Sequence, residues 1–169
     1  MREDEHGQFR VTVEKDYLVF ASAHFITFPG HRCEGLHGHN YRVKATLWGG
    51  IADESWFVFD FVTLKRIMRQ LCDAIDHKVL LPLHNPHLTI GHVGDSITVA
   101  YDRVPRYVFP RVDCALLEVP NTTVEMLAEH LAGQLRTALA EQGARGLTAL
   151  EIEVEENFGQ SASYHTALV

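Results

Sequence analysis

The stretch Cys33-Glu34-Gly35-Leu36-His37-Gly38-His39-Asn40-Tyr41 gathers a thiol, a carboxylate and two imidazoles, and a third imidazole, His24, lies upstream behind Phe20-Ala21-Ser22-Ala23. In an extended chain, residues i and i+2 point to the same side. His37 and His39 can therefore reach one metal ion from a single strand face, with Gly38 between them removing bulk. Three neutral imidazoles with one open position are the ligand set of a catalytic zinc site. Imidazole-only ligation also suits copper, iron or nickel. Such an ion is a Lewis acid that polarises a hydroxyl or carbonyl oxygen and lowers the pKa of an adjacent proton. Cys33 is either a fourth ligand that closes the site or a nucleophile or proton carrier beside the metal. A nearby cation favours its thiolate in both cases, and spacing does not choose between them.

Other reactive side chains carry weaker signals. Asp76-His77 pairs a carboxylate with an imidazole at the end of a helical stretch, a common arrangement at helix ends. His84, His87 and His92 are irregularly spaced around Pro86, and histidine is frequent in surface loops. Cys72 falls on the buried stripe of a helix and reads as a small structural hydrophobe. The three cysteines, Cys33, Cys72 and Cys114, are too few and odd in number for a disulfide framework, so reduced thiols are expected.

The elements that must position these groups follow from periodicity. Phe9, Val11 and Val13 alternate with polar residues as a strand does. The run from Tyr17 to Ala23 is apolar at both parities, so the direction of His24 is not legible. Pro29-Gly30 marks a loop, and residues 25–36 are expected to leave the sheet before His37. From His39 to Trp48 the alternation is clean, with Tyr41, Val43, Ala45 and Leu47 on one face, and Gly49-Gly50 turns the strand. Trp56 to Phe59 reads as a strand end, followed by Asp60 as an N-cap. Leu64, Ile67, Met68, Leu71, Cys72 and Ile75 predict an amphipathic helix over 62–75. Residues 96–109 read as a hairpin closed near Val104-Pro105. Thr122 and Glu125 fit a capping box for a helix of about five turns, stopped by Gly143. Leu150, Ile152 and Val154 alternate with Glu151, Glu153 and Glu155 in a last strand, whose acidic face reads as solvated.

Composition limits the function classes. A chain of 169 residues with 46% hydrophobic and 22% charged residues fits one globular domain, 1–169. The net charge of −7, without a Lys/Arg run, argues against nucleic acid or an anionic membrane as a partner. Met1 to His6 is charged and has no apolar stretch behind it, so no signal peptide is expected and the cytoplasm is the expected location.

The ordered set Ala23-His24, Cys-X3-His-Gly-His-Asn-Tyr at 33–41, Asp60-Phe61 with Leu64-Lys65, Ile75-Asp76-His77-Lys78, Asn121-Thr122 with Glu125, and a final strand ending in Glu156 resembles the 6-pyruvoyl-tetrahydropterin and 6-carboxy-tetrahydropterin synthase family. The resemblance runs in segments through most of the chain. It implies an α+β tunnelling fold, an antiparallel sheet with two helices on one face, with subunits joining their sheets into a β-barrel. It further implies a homo-oligomer, trimer or hexamer, with active sites between neighbours. Carried over by position, it implies that His24, His37 and His39 hold Zn2+ and that Cys33 is the catalytic thiol. Asp76 and His77 match the proton-transfer pair, contributed by a neighbouring subunit, and Glu156 matches the anchor of the pterin ring. A carboxylate suits that last task, because it accepts two parallel N–H bonds from an aminopyrimidinone edge. The implied substrate is the small molecule 7,8-dihydroneopterin triphosphate. The leading product is 6-carboxy-tetrahydropterin, a precursor of queuosine and related deazapurines, and 6-pyruvoyl formation is the sister activity.

Two departures from the family pattern bear on product, and a third on the pterin pocket. Glu34 beside Cys33 also gives Glu-X2-His-Gly-His, which resembles members that form 6-hydroxymethyl-dihydropterin for folate synthesis and makes Glu34 a second catalytic candidate. Residues 82–118 are longer than the short connection of compact members and read as an inserted hairpin at about 85–113. Asn157-Phe158 also replaces the pair that often follows the anchoring glutamate. A non-catalytic pterin or purine binder, and a structural zinc domain closed by Cys33, are the readings from other classes.

Overall fold

The computed structural model describes residues 7–30, 32–51 and 54–168, so the charged Met1 to His6 stretch lies outside the described residues. In chain order the elements are β1 (Phe9–His24), β2 (Thr27–Phe28), β3 (Arg32–Cys33), β4 (His37–Gly49), α1 (Phe61–Ile75), β5 (Lys78–Pro82), β6 (Leu88–Val93), β7 (Ser96–Tyr101), β8 (Val104–Pro110), β9 (Cys114–Leu117), α2 (Val124–Glu141), β10 (Leu147–Asn157) and β11 (Gln160–Ala167). The first two apolar runs form a single strand. The β1/β4 register breaks between Glu14 and Val19, and the buried parity moves from Val13 to Leu18, Phe20, Ser22 and His24. A bulge of this kind re-aims every side chain beyond it. His24 faces inward for that reason.

Six strands form one sheet in the order β11-β10-β4-β1-β5-β9. β1, β4, β10 and β11 pair antiparallel, whereas β5 runs parallel to β1 and β9 parallel to β5. The sheet is therefore mixed rather than purely antiparallel. Parallel neighbours need a crossover of a dozen or more residues. α1 lies in the crossover that leads into β5, and strands β6 to β8 lie in the one between β5 and β9. The expected hairpin is the second and third strands of a three-stranded antiparallel sheet in the order β6-β7-β8. Its β7–β8 turn falls at Asp102 and Arg103, both with positive φ, 46° and 70°.

Both helices cover one face of the six-stranded sheet. Leu64, Met68 and Cys72 of α1 and Leu127, Leu131 and Leu135 of α2 share a core with Phe20, Tyr41, Leu47 and Ile152. Cys72 is fully buried there, and burial pushes its thiol up to about 12, so it is inert as expected. A smaller apolar cluster, Phe25, Leu81, Ile97 and Val99, lies beneath the three-stranded sheet. Among the described residues no helix is long and apolar enough to cross a membrane.

Helix ends match the sequence in part. Asp60 caps α1, accepting from the Val62 and Thr63 amides at 3.2 and 2.8 Å. The capping box at α2 does not form. Thr123 is the N-cap, without a side-chain bond, because the buried Thr122 hydroxyl donates to the Phe25 carbonyl at 3.0 Å. Gly143, at φ 66°, ends α2. Residues 56–59 bend and form no strand. On the acidic face of β10, Glu153 is paired across the sheet rather than merely solvated. Glu153 lies opposite Lys44, with Nζ to Oε2 at 2.5 Å, and Glu155 lies opposite Arg42.

Candidate metal centre

The site forms where β1 and β4 run out together. In their antiparallel register His24 lies directly opposite His37, and Ser22 lies opposite His39, so His39 is the diagonal neighbour of His24. Direct and diagonal pairs on one face are within reach of long side chains. The three rings are 4.7, 5.3 and 5.0 Å apart between centroids, and one nitrogen from each lies within 4.8 Å of the others. Gly38 is required by the approach of the strands: a Cβ there would stand 3.1 Å from the Ser22 carbonyl oxygen.

Backbone carbonyls orient two of the rings. His24 Nδ1 donates to Thr122 O at 2.8 Å, and His37 Nδ1 donates to Gly35 O at 3.0 Å. Each bond leaves Nε2 with its lone pair free, the arrangement found around metal-bound imidazoles. Burial lowers the His24 pKa, so the ring is held neutral as ligation requires. The Nε2 atoms of His24 and His39 are buried without a hydrogen-bond partner among the described residues. Buried polar atoms are rarely left so, and two converging with a third imidazole at their side fit a bound cation. Glu156 stands beside them, with Oε1 3.4 Å from His24 Nε2 and 3.1 Å from His39 Nε2. Tyr41 floors the group. Its buried ring is 6.0 Å from that of His24 and 5.6 Å from that of His39, and desolvation raises its phenol, which stays neutral.

Glu34 and Cys33 diverge. Glu34 Oε2 is 3.9 Å from His37 Nε2. The Cys33 side chain packs against the Phe25 cluster, and burial raises its thiol while the Arg106 charge opposes the rise. Cys33 is outside the group of close ligand atoms, which holds the three imidazoles alone. Asp76 and His77 form a pair of their own at the end of α1. The Asp76 carboxylate accepts from the Ala21 amide at 2.7 Å, which chiefly lowers its pKa, and its other oxygen lies 2.8 Å from His77 Nδ1. His77 is exposed and adopts φ 55°, a left-handed conformation that a non-glycine residue keeps only where its surroundings hold it. His84 and His87 instead lie near the carboxylates of Glu118 and Asp102. Two contributors carried no signal in the sequence, Arg106 and Tyr107 against the 33–36 segment. Thr122 and Tyr41 stand in the motifs quoted above, but not as the acceptor for His24 and the floor of the group.

A helix-backed sheet with three convergent imidazoles beside a carboxylate frames a candidate metal-ligating pocket. Residues 12–167 match the 6-pyruvoyl tetrahydropterin synthase family, and the chain belongs to that family of lyases. A relative from Methanocaldococcus jannaschii, provisionally named 6-carboxy-5,6,7,8-tetrahydropterin synthase, is 34% identical over 89% of this chain and 91% of its own. The 6-carboxy-5,6,7,8-tetrahydropterin synthase of Aquifex aeolicus is 26% identical over 80% and 77%. Among solved structures, the 6-pyruvoyl tetrahydropterin synthase of Plasmodium vivax superposes with a TM-score of 0.88 at 31% identity, covering 96% of this chain and 99% of that one.

Proposed function

We propose that this chain is a zinc-dependent lyase that converts 7,8-dihydroneopterin triphosphate to 6-carboxy-tetrahydropterin. The observation that carries the reading is the convergence of His24, His37 and His39, with the buried, unbonded Nε2 atoms of His24 and His39 beside the Glu156 carboxylate. The names of the Methanocaldococcus and Aquifex relatives support the product. His24, His37 and His39 would hold the ion, which when bound supplies Lewis-acid polarisation of a side-chain oxygen of the substrate. Glu156 borders a cleft of about 400 Å³, shared with Asn40 and Phe158, and accepts the N–H groups of the pterin edge. Cys33 and His77 move protons between ring and side chain as general acid and base, with Asp76 orienting His77. The Asp76-His77 pair reaches the site from a neighbouring copy in a trimer or hexamer. The open sheet edges β9 and β11 suit joining of subunits into a barrel.

One observation favours a second reading, carbon–carbon cleavage to 6-hydroxymethyl-dihydropterin through Glu34. The Glu34 carboxylate faces His37 whereas the Cys33 thiol packs on apolar residues. A Plasmodium vivax structure described as a catalytic residue mutant has a glutamate replaced by alanine. Product analysis of zinc-loaded wild type, Cys33→Ala and Glu34→Ala with dihydroneopterin triphosphate tests both. Loss of the carboxy product in Cys33→Ala alone supports the first reading. Its persistence there sinks that mechanism, and a hydroxymethyl product abolished by Glu34→Ala establishes the second.

A further inference from the structure

The catalytic candidates Cys33 and Glu34 sit on a segment with little hold of its own. β3 ends at Cys33, β4 begins at His37, and residues 34–36 between them have no regular structure. Gly35 widens the conformational choice, since nothing lies within 4 Å of the position its Cβ would take. From within the fold's own turn the segment receives the bond of Glu34 N to Ile26 O at 3.0 Å and that of His37 Nδ1 to Gly35 O.

A distant strand supplies more. Arg106 Nη2 on β8 donates to Glu34 O at 2.7 Å and Cys33 O at 3.3 Å, and the next residue, Tyr107, accepts from Leu36 N through its hydroxyl at 3.2 Å. These two side chains are themselves anchored. The Arg106 guanidinium lies 5.3 Å from the Tyr107 ring centroid, and the Tyr107 ring packs 5.3 Å from Phe25 and 5.4 Å from Phe109, over the cluster that includes Ile97 and Val99. A rigid cationic donor bridging two successive carbonyls fixes the orientation of the peptide units that carry both side chains. With those units fixed, the thiol of Cys33 is directed to the apolar cluster and the carboxylate of Glu34 toward His37.

We propose that Arg106 and Tyr107 are positioning residues: the β6–β8 sheet is a clamp that holds the Cys33–Leu36 segment in register with the histidine cluster. Its catalytic consequence rests on the lyase reading above. Holding a reacting group within a fraction of an ångström matters, because a misplacement of about 1 Å costs on the order of a hundredfold in rate. The clamp also gives the long β5–β9 crossover a task.

The test uses full-length zinc-loaded Arg106→Ala, Arg106→Lys and Tyr107→Phe, read by amide hydrogen exchange and by steady-state kinetics. Tyr107→Phe deletes one hydroxyl and keeps the ring packing, so it reports even if Arg106→Ala folds poorly. The expected result is faster exchange at Leu36 in Tyr107→Phe and across residues 34–37 in Arg106→Ala. With it, kcat falls about tenfold to a hundredfold while KM and zinc content stay near wild type, and Arg106→Lys recovers part of the loss. Wild-type exchange in both Arg106→Ala and Tyr107→Phe overturns the clamp, and faster exchange with unchanged kcat overturns its positioning role. A wild-type protein that does not turn over dihydroneopterin triphosphate counts against the lyase reading alone, and the exchange measurement still decides whether the clamp exists.

Discussion

His24 Nδ1 donates to the carbonyl of Thr122, 2.8 Å away and 98 residues later in the chain. The bond joins the end of β1 to the residues that enter α2, so the orientation of the first imidazole depends on the loop that starts the second helix. Asn121 holds that loop. Its side-chain oxygen accepts from Thr122 N at 3.1 Å, and its amide donates to Thr27 O at 3.0 Å.

Asn121→Ala should therefore weaken metal binding without touching a ligand. An outer-shell loss of this kind costs about 10- to 100-fold in affinity. Competition with a chromogenic chelator measures it, and an unchanged zinc dissociation constant would show that the loop holds itself.

Gly38→Ala should open the site by pushing the strands apart. The new methyl would meet the Ser22 carbonyl at 3.1 Å, a backbone atom that moves only with β1. Overpacking of this kind costs about 1–3 kcal/mol. Urea unfolding of the metal-free protein should show the loss, and zinc affinity should fall with it because Ala23 and Ser22 pair with Gly38 and His39.

Glu156→Gln separates substrate anchoring from metal ligation. The amide keeps the shape of the carboxylate but offers one acceptor and presents donors to the donor edge of a pterin. KM should rise at least about tenfold, since unpaired polar groups in a recognition site carry penalties of that order. Zinc content should not change. Loss of zinc with unaltered substrate binding would place Glu156 with the metal instead.

The Lys44–Glu153 pair fixes a pH window. The hydrogen bond from Lys44 lowers the Glu153 carboxyl below its ordinary 4.5, so its contribution is present above that value and lost as pH falls through the folded pKa. The same bond raises Lys44 above 10.5, so its contribution is present below that value and lost as pH rises through the folded pKa. A Lys44→Ala, Glu153→Ala double-mutant cycle should give about 0.2–1 kcal/mol of coupling at pH 7, small because both side chains are partly exposed. At pH 3 the coupling should be smaller. A coupling that does not change between the two would show that the pair is not ionic.

Much of the site was legible because its logic is local. Strand periodicity alone put His37 and His39 on one face and Tyr41 on one face with Val43, Ala45 and Leu47, and helical spacing set out α1 and buried Cys72. The reading failed where distant segments compete for the same groups. The Thr122 hydroxyl, a helix cap by sequence pattern, is instead bonded to the Phe25 carbonyl. β5 and β9 were invisible because strands of five and four residues, with consecutive apolar residues in Val79-Leu80-Leu81 and Ala115-Leu116-Leu117, lack the alternation that marks a strand. The pairing of Glu153 is not legible locally because its partner, Lys44, lies more than a hundred residues upstream.

What the sequence by itself determined is the family and the placing of His37 and His39 on one face: residue type and a two-residue spacing suffice when two side chains share one strand. Only the tertiary structure decided which way His24 faces, because a bulge between Glu14 and Val19 resets the parity of β1. It also decided that adjacent Cys33 and Glu34 point into different surroundings, because Arg106 and Tyr107 reach their segment from a strand some seventy residues away. Neighbours in sequence share a backbone, but side-chain direction is set by what packs against it.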